Sequence, residues 1–243
     1  MRSRRQSTLV YCIQTLHRLA MRTSRSKIED PSGWWLPVPL LLIFLVVPVA
    51  IELTLMAADY GFFATPRLRH TAYQYGAFWA GLLGNWRPNY AAQPWLMFFT
   101  YSFLHAGFLH IAGNMTSLVY LMQLNARKLR GWPFFFLYLI SALGGALGFA
   151  LLGTAFNPMV GASGALFGLT GAWRYQDWIA EPDLNRRARI ILRDCFLLAL
   201  LNLLMWYLED GALAWESHLG GFVTGVATMA VMNRFRSRKT SNQ

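Results

Sequence analysis

From residue 88 to residue 126 the chain carries not one Asp, Glu, Lys or Arg, and charge-free apolar runs recur at 34–51 and 133–152. About 20 such residues in a helix cross the roughly 30 Å hydrocarbon core of a bilayer. In lipid, every backbone N–H and C=O must be satisfied within the protein, which restricts spanning runs of this kind to helices. Composition agrees. Charged residues make up 14% of the 243, against about 25% in soluble domains, and mean hydropathy is +0.32. A net charge of +11, from 22 Lys and Arg against 11 Asp and Glu, would by itself suggest a nucleic-acid binder. The cations lie between the apolar runs, however, so the expected partner is a lipid bilayer and not nucleic acid.

Apolar length divides the chain into a basic arm (1–33), a membrane domain (34–233) and a basic tail (234–243). Six spans are expected: 34–51 extended by 53–57, then 104–124, 133–152, 161 to about 173, 195–208 extended by 190–192, and 217 to about 233. Pro48 is expected to kink the first, and Glu52, near its far end, to reach water. The fourth is short for the core, so its start should lie below one surface, in a depression that admits water. Residues 59–94 form a long aromatic connection. Within it, 71–86 mixes rings with Gln, Asn and glycines and reads as a segment half-sunk in the interface. The fold class is therefore all-α, a six-helix membrane bundle with a long interfacial first loop. Cys12 and Cys195 lie far apart and form no ligand pattern, so neither a disulfide nor a metal site is expected.

Six spans put both termini and the loops after spans two and four on one side, which then holds nineteen of the 22 cations. The positive-inside bias makes that side cytoplasmic. Seven of the nineteen fall in residues 1–30, where Leu9, Ile13 and Leu16 recur at helical spacing, as in an arm lying on an anionic membrane surface. This Arg- and Ser-containing, acid-poor start also matches an organelle transit peptide, while its apolar run begins too late for a secretory signal. The expected location is the bacterial cytoplasmic (inner) membrane, with both termini cytoplasmic.

The chemistry centres on Gly161-Ala162-Ser163-Gly164, which follows the breaker pair Asn157-Pro158 and opens a helix. A serine there can simply cap the helix. The glycines also let another helix approach closely, and His218 with Gly221-x-x-x-Gly225 supplies a matching close-packing face. A serine and a histidine on two such helices form a nucleophile and its base. His110 and Asn114, four apart, share one face early in span two. Polar groups in a membrane helix either bond a neighbouring helix or line a site. Ser163, His218, His110 and Asn114 all come to the outer side at similar depth, an agreement not built into the choice of spans.

These residues resemble the rhomboid intramembrane serine proteases. The likeness rests on Gly161-Ala162-Ser163-Gly164, on His105-Ala106-Gly107-Phe108-Leu109-His110-Ile111-Ala112-Gly113-Asn114, and on His218-Leu219-Gly220-Gly221 with Gly225. They occur in family order, and the likeness covers roughly 36–233. The resemblance implies Ser163 as nucleophile and His218 as general base. It implies His110, Asn114 and the Ser163 backbone N–H as oxyanion stabilisers, with Gly161, Gly164, Gly221 and Gly225 supporting helix packing. It also implies single-span transmembrane proteins as substrates; no cofactor is expected, because nothing in the sequence forms a closed ligand set. Glu216 is two residues from His218 and on another helix face, so a dyad is expected instead of a triad. The chain departs from the family at Trp95-Leu96, where Trp-Arg is common and where this chain has Trp86-Arg87 further upstream. Arg127-Lys128-Leu129-Arg130-Gly131 replaces a usual acidic position, and Phe167 stands where many relatives stack a tyrosine on the histidine. The competing function is a rhomboid-like protein that binds transmembrane clients without cutting them. A small transporter fits less well, because the polar groups cluster on one side.

Overall fold

A computed structural model describes residues 42–241 except 64, 66, 127, 128, 130, 154, 155, 209 and 210. The basic arm, Cys12, the Trp34-Trp35 pair and Pro39 lie outside the described residues. So do Glu209, Asp210 and the cations of the 127–130 turn. One unit, Leu36–Gln243, holds everything described.

A π-helical turn (Leu42–Val46) passes into α1 (Val47–Asp59), with Pro48 in the first turn of α1. The change of hydrogen-bonding pattern falls where proline lacks the N–H that would continue the ladder. The first connection is folded: α2 (Leu68–Gly76), a 3₁₀ turn (Ala80–Leu83), and α3 (Gln93–Thr100) running into a second 3₁₀ turn (Tyr101–Phe103). Then come α4 (Phe108–Ala126), α5 (Trp132–Leu152), α6 (Ser163–Ala180), α7 (Leu184–Leu208) and α8 (Trp215–Ser241). Among the described residues there is no strand, only an isolated bridge that pairs Phe78 with Met159. Of these helices α5 and α7 are long and apolar enough to cross a membrane. The stretch from α3 to α4, bent by 85°, adds a third if taken as one broken span.

Several helix ends differ from the sequence reading. The second span was expected from 104, but α4 starts at Phe108, and Gly107 at φ 112° turns the chain into it. His105 therefore lies in the bend and not on the helix. The fourth helix does not stop near Trp173 but runs to Ala180. Arg174 continues it because its charge is matched, by Asp177 at 2.7 Å and by Asp194. Likewise α7 starts at Leu184, ahead of the expected 190–192 extension, and α8 runs on through the basic tail to Ser241. Hydropathy marks where lipid ends, whereas a helix continues as long as its charges are solvated or paired.

Glu52 also departs from expectation. It is fully buried, and Arg69 from α2 meets it at 2.8 Å. Arg69 also reaches Asp59 at 2.7 Å, and both Arg69 and the Tyr73 hydroxyl donate to the His105 carbonyl. Burial works against the Arg69 charge, but the hydrogen bonds to Glu52, Asp59 and Tyr73 outweigh it and hold the guanidinium above its ordinary value. The first connection is thereby tied to α1 and to the bend before α4.

The core is built on close backbone approach. A Cβ built on Gly220 would overlap the Gly144 carbonyl, and one on Gly148 would overlap the Glu216 carbonyl, so α5 and α8 touch through bare backbone. Gly221 and Gly225 meet the carbonyl oxygens of Gly164 and Gly168 in the same manner, which joins α8 to α6. Ile111, Leu118, Leu137, Leu166 and Leu169 close the space between α4, α5 and α6. Around α7 the situation reverses: Phe196, Leu197, Leu200, Leu203 and Leu204 are all exposed.

Candidate active site

The loop before α6 is held from two sides. Phe78 and Met159 exchange backbone hydrogen bonds at 3.0 and 2.9 Å, and the Gly161 N–H donates to the Tyr101 carbonyl at 3.0 Å. The Tyr101 hydroxyl in turn donates to the Ala142 carbonyl of α5 at 2.8 Å. Gly161 itself lies outside α6 at φ 117°, a region that side-chain-bearing residues avoid. Its expected role in helix packing is thus corrected. It shapes the loop, and a Cβ on it would come within 2.7 Å of His110 Nε2.

Ser163 is the first residue of α6, and no side-chain cap bond is made there. Its hydroxyl instead faces His218 on α8, with Oγ 2.8 Å from Nε2. His218 is buried, while Ser163 is half-buried. Phe167, one turn along α6, stacks on the imidazole with ring centroids 4.1 Å apart and planes within 7°. The other face of the problem, what holds Nδ1, has an answer that the sequence reading missed. Asn202 of α7 brings Oδ1 to 2.6 Å from Nδ1. A lone Asn between Leu201 and Leu203 is a polar group in an apolar helix, and that signal alone marks it.

His110 and Asn114 lie on α4. The Ala106 N–H points at His110 Nδ1 at 3.4 Å, which leaves Nε2, beside Gly161, as the ring's donor nitrogen. Asn114 is buried and donates one N–H of its amide to the His110 carbonyl at 2.9 Å, so its second N–H is left for another acceptor. His105 is fully buried, its Nε2 faces the Ala162 N–H at 3.4 Å, and its ring lies edge-on to His110 at 5.1 Å. No group of three His, Cys, Asp or Glu suited to a metal occurs among the described residues.

A serine hydroxyl aimed at a buried imidazole nitrogen can act as a nucleophile in acyl transfer. Part of the chain is similar to known proteins. RHOMBOID-like protein 5 of Arabidopsis thaliana is 35% identical over 125 residues, 50% of this chain and 39% of that protein. RHOMBOID-like protein 1 of the same plant is 35% identical over 133 residues, 55% of this chain and 33% of that protein. Rhomboid-like protease 1 of Toxoplasma gondii is 31% identical over 135 residues, 54% of this chain and 45% of that protein. The chain thus spans less than half the length of each of these relatives. Residues 92–235, more than half of the chain and containing every residue of the site, match the Rhomboid domain, and with its apolar helices the chain belongs to the rhomboid family of integral membrane proteins.

Proposed function

We propose that this protein is an intramembrane serine endopeptidase that cuts transmembrane segments of single-span membrane proteins near the outer membrane surface. The observation that carries the reading is the 2.8 Å approach of Ser163 Oγ to His218 Nε2 across the α6–α8 crossing. In the proposed reaction Oγ attacks the scissile carbonyl carbon while its proton passes to Nε2. The resulting oxyanion takes hydrogen bonds from the Ser163 N–H, His110 Nε2–H and the second N–H of Asn114. Each such donor is worth about 2.7–4 kcal/mol in the transition state where it has been measured. His218 then protonates the leaving amine, and water repeats the sequence to release the acyl group.

The topology proposed with it has six spans, formed by the helix that contains α1 and by α4, α5, α6, α7 and α8. It keeps the membrane domain at 34–233, between a basic arm (1–33) and a tail (234–243) whose cations, with both termini, are cytoplasmic. The bacterial inner membrane is the proposed location. The site needs no cofactor in this reading, since serine, histidine and three N–H donors supply every proton and charge the reaction requires.

The test is cleavage of a tagged single-span substrate by the purified protein, together with labelling by a fluorophosphonate. Wild type should cleave, Ser163→Ala should not, and the label should fall on Ser163 only while His218 is present. Capture of the intact substrate without cleavage or labelling would favour the competing function, a client-binding rhomboid-like protein.

A further inference from the structure

Asn202 gives this site a third member. Its amide is oriented by its own helix: Nδ2 donates to the Leu198 carbonyl, one turn back, at 2.9 Å. That bond leaves Oδ1 as the atom facing His218, at 2.6 Å from Nδ1. An amide oxygen can only accept, so Nδ1 must carry the ring proton. A neutral imidazole protonated on Nδ1 has a bare Nε2, which is the atom 2.8 Å from Ser163 Oγ. The sequence Leu198 C=O, Asn202 amide, His218 ring, Ser163 hydroxyl is thus a hydrogen-bond chain with one consistent set of protons.

We infer that Asn202 is a positioning residue for the cleavage reaction, holding His218 in the Nδ1–H tautomer with Nε2 turned to Ser163. The inference rests on the reading of Ser163 and His218 as nucleophile and base. Asn202 meets the imidazole at Nδ1, while Ser163 meets it at Nε2, so Asn202 acts through the ring. When Oγ attacks, its proton moves to Nε2, and the imidazolium formed keeps its Nδ1–H on Oδ1. When Nε2 gives that proton to the leaving amine, the Asn202 bond is unchanged. The alternative tautomer, with its proton on Nε2, could not take the serine proton. Because an amide oxygen stabilises the imidazolium less than a carboxylate does, its removal should cost less than the roughly 10⁴-fold known for a misdirected histidine in serine proteases.

The test reads the tautomer directly. In full-length protein with ¹⁵N-labelled histidine, in detergent or nanodiscs, the His218 signals are identified by their loss in His218→Gln. Wild type should show a protonated Nδ1 and an unprotonated Nε2; a proton on Nε2 overturns the inference without any variant at position 202. Asn202→Leu should lower kcat by about 10–100-fold, with KM for the tagged substrate unchanged and mixed tautomers in the spectrum. Asn202→Asp, which keeps an acceptor at the same reach, should recover at least half of the lost rate. An Asn202→Leu protein that keeps both the wild-type kcat and the Nδ1–H signal would show that the contact does nothing. Fluorophosphonate labelling of wild type separates the two claims: if Ser163 does not label, the nucleophile assignment fails, whatever the tautomer spectrum reports.

Discussion

Along α8, Gly220, Gly221 and Gly225 lie against the backbone of α5 and α6, whereas along α7 Phe196, Leu197, Leu200, Leu203 and Leu204 stand exposed. Both helices reach His218, one by carrying it and the other through Asn202. Backbone-to-backbone contact leaves α8 no freedom to shift, because a packed crossing has no slack to absorb displacement. The α7 helix is tied mainly by polar contacts. Near the middle of the helix Asp194 accepts from Arg174 and, at 2.9 Å, from the Trp178 indole. Higher up, Asn202 meets the imidazole. Around Asn202 a cavity of about 600 Å³, lined by Leu198, Leu203, Trp206, Leu219 and Phe222 among others, lies between α7 and helices α6 and α8. The Ser163–His218 pair is thus positioned on one side by absent side chains and on the other by directed hydrogen bonds.

The largest test of that contrast pairs a gain of one methyl with a loss of three carbons. In Gly221→Ala the new Cβ falls on the Gly164 carbonyl, one residue from Ser163, so α6 and α8 must part. A displacement near 1 Å costs about 10²-fold in rate even when every catalytic group remains. Cleavage should therefore fall by that factor or more, with the protein still inserted in the membrane. Leu200→Ala, on the bare face of α7, should change cleavage less than about 3-fold, as expected of an exposed position. Equal effects from the two substitutions would abolish the distinction drawn between the helices.

A smaller effect is expected at Asp194 of α7. Asp194 is 7% exposed, and Asp194→Ala leaves the buried Trp178 N–H without its acceptor and Arg174 with Asp177 alone. Losing hydrogen bonds to a charged acceptor costs about 1.5–3 kcal/mol each, less where a second partner remains. Thermal unfolding in detergent should shift down by several degrees while Ser163 labelling continues at a reduced rate. An unshifted melting curve would mean that α7 is held by its apolar contacts after all.

The same contrast explains which features were readable in advance. Ser163 and His218 stand out because each sits among glycines, and a polar residue in a small-residue setting is a local pattern. The partners of Asn202 and Glu52 are not local: one bond crosses from α7 to α8, the other from α1 to α2. No periodicity specifies that Arg69 will fold back over Glu52, so its burial could not be foreseen. Gly161 was misread for a related reason. A glycine needed for its positive φ looks, in sequence, the same as one needed for helix contact. The extra turns of α6 and α8 were missed because apolar length measures the bilayer and not the helix.

The smallest predicted effect compares the two restraints on the imidazole itself. Phe167 presses on its face from α6, the closely packed side, while Asn202 holds its edge from α7. Stacking limits tilt out of the plane but not rotation within it, and does not distinguish the two ring nitrogens. A hydrogen bond to Nδ1 fixes both the rotation and the tautomer. Aromatic pairs of this kind contribute about 0.5–1.5 kcal/mol beyond the area they bury, so Phe167→Leu should lower kcat by no more than about 10-fold. Phe167→Tyr, which keeps the ring, should stay within about 3-fold of wild type on the same scale. In neither variant should the Nδ1–H signal of His218 change, because no atom of residue 167 bonds that nitrogen. Should Phe167→Leu cost more than Asn202→Leu, or scramble the tautomer, the aromatic face of α6 rather than the amide of α7 would be what orients His218.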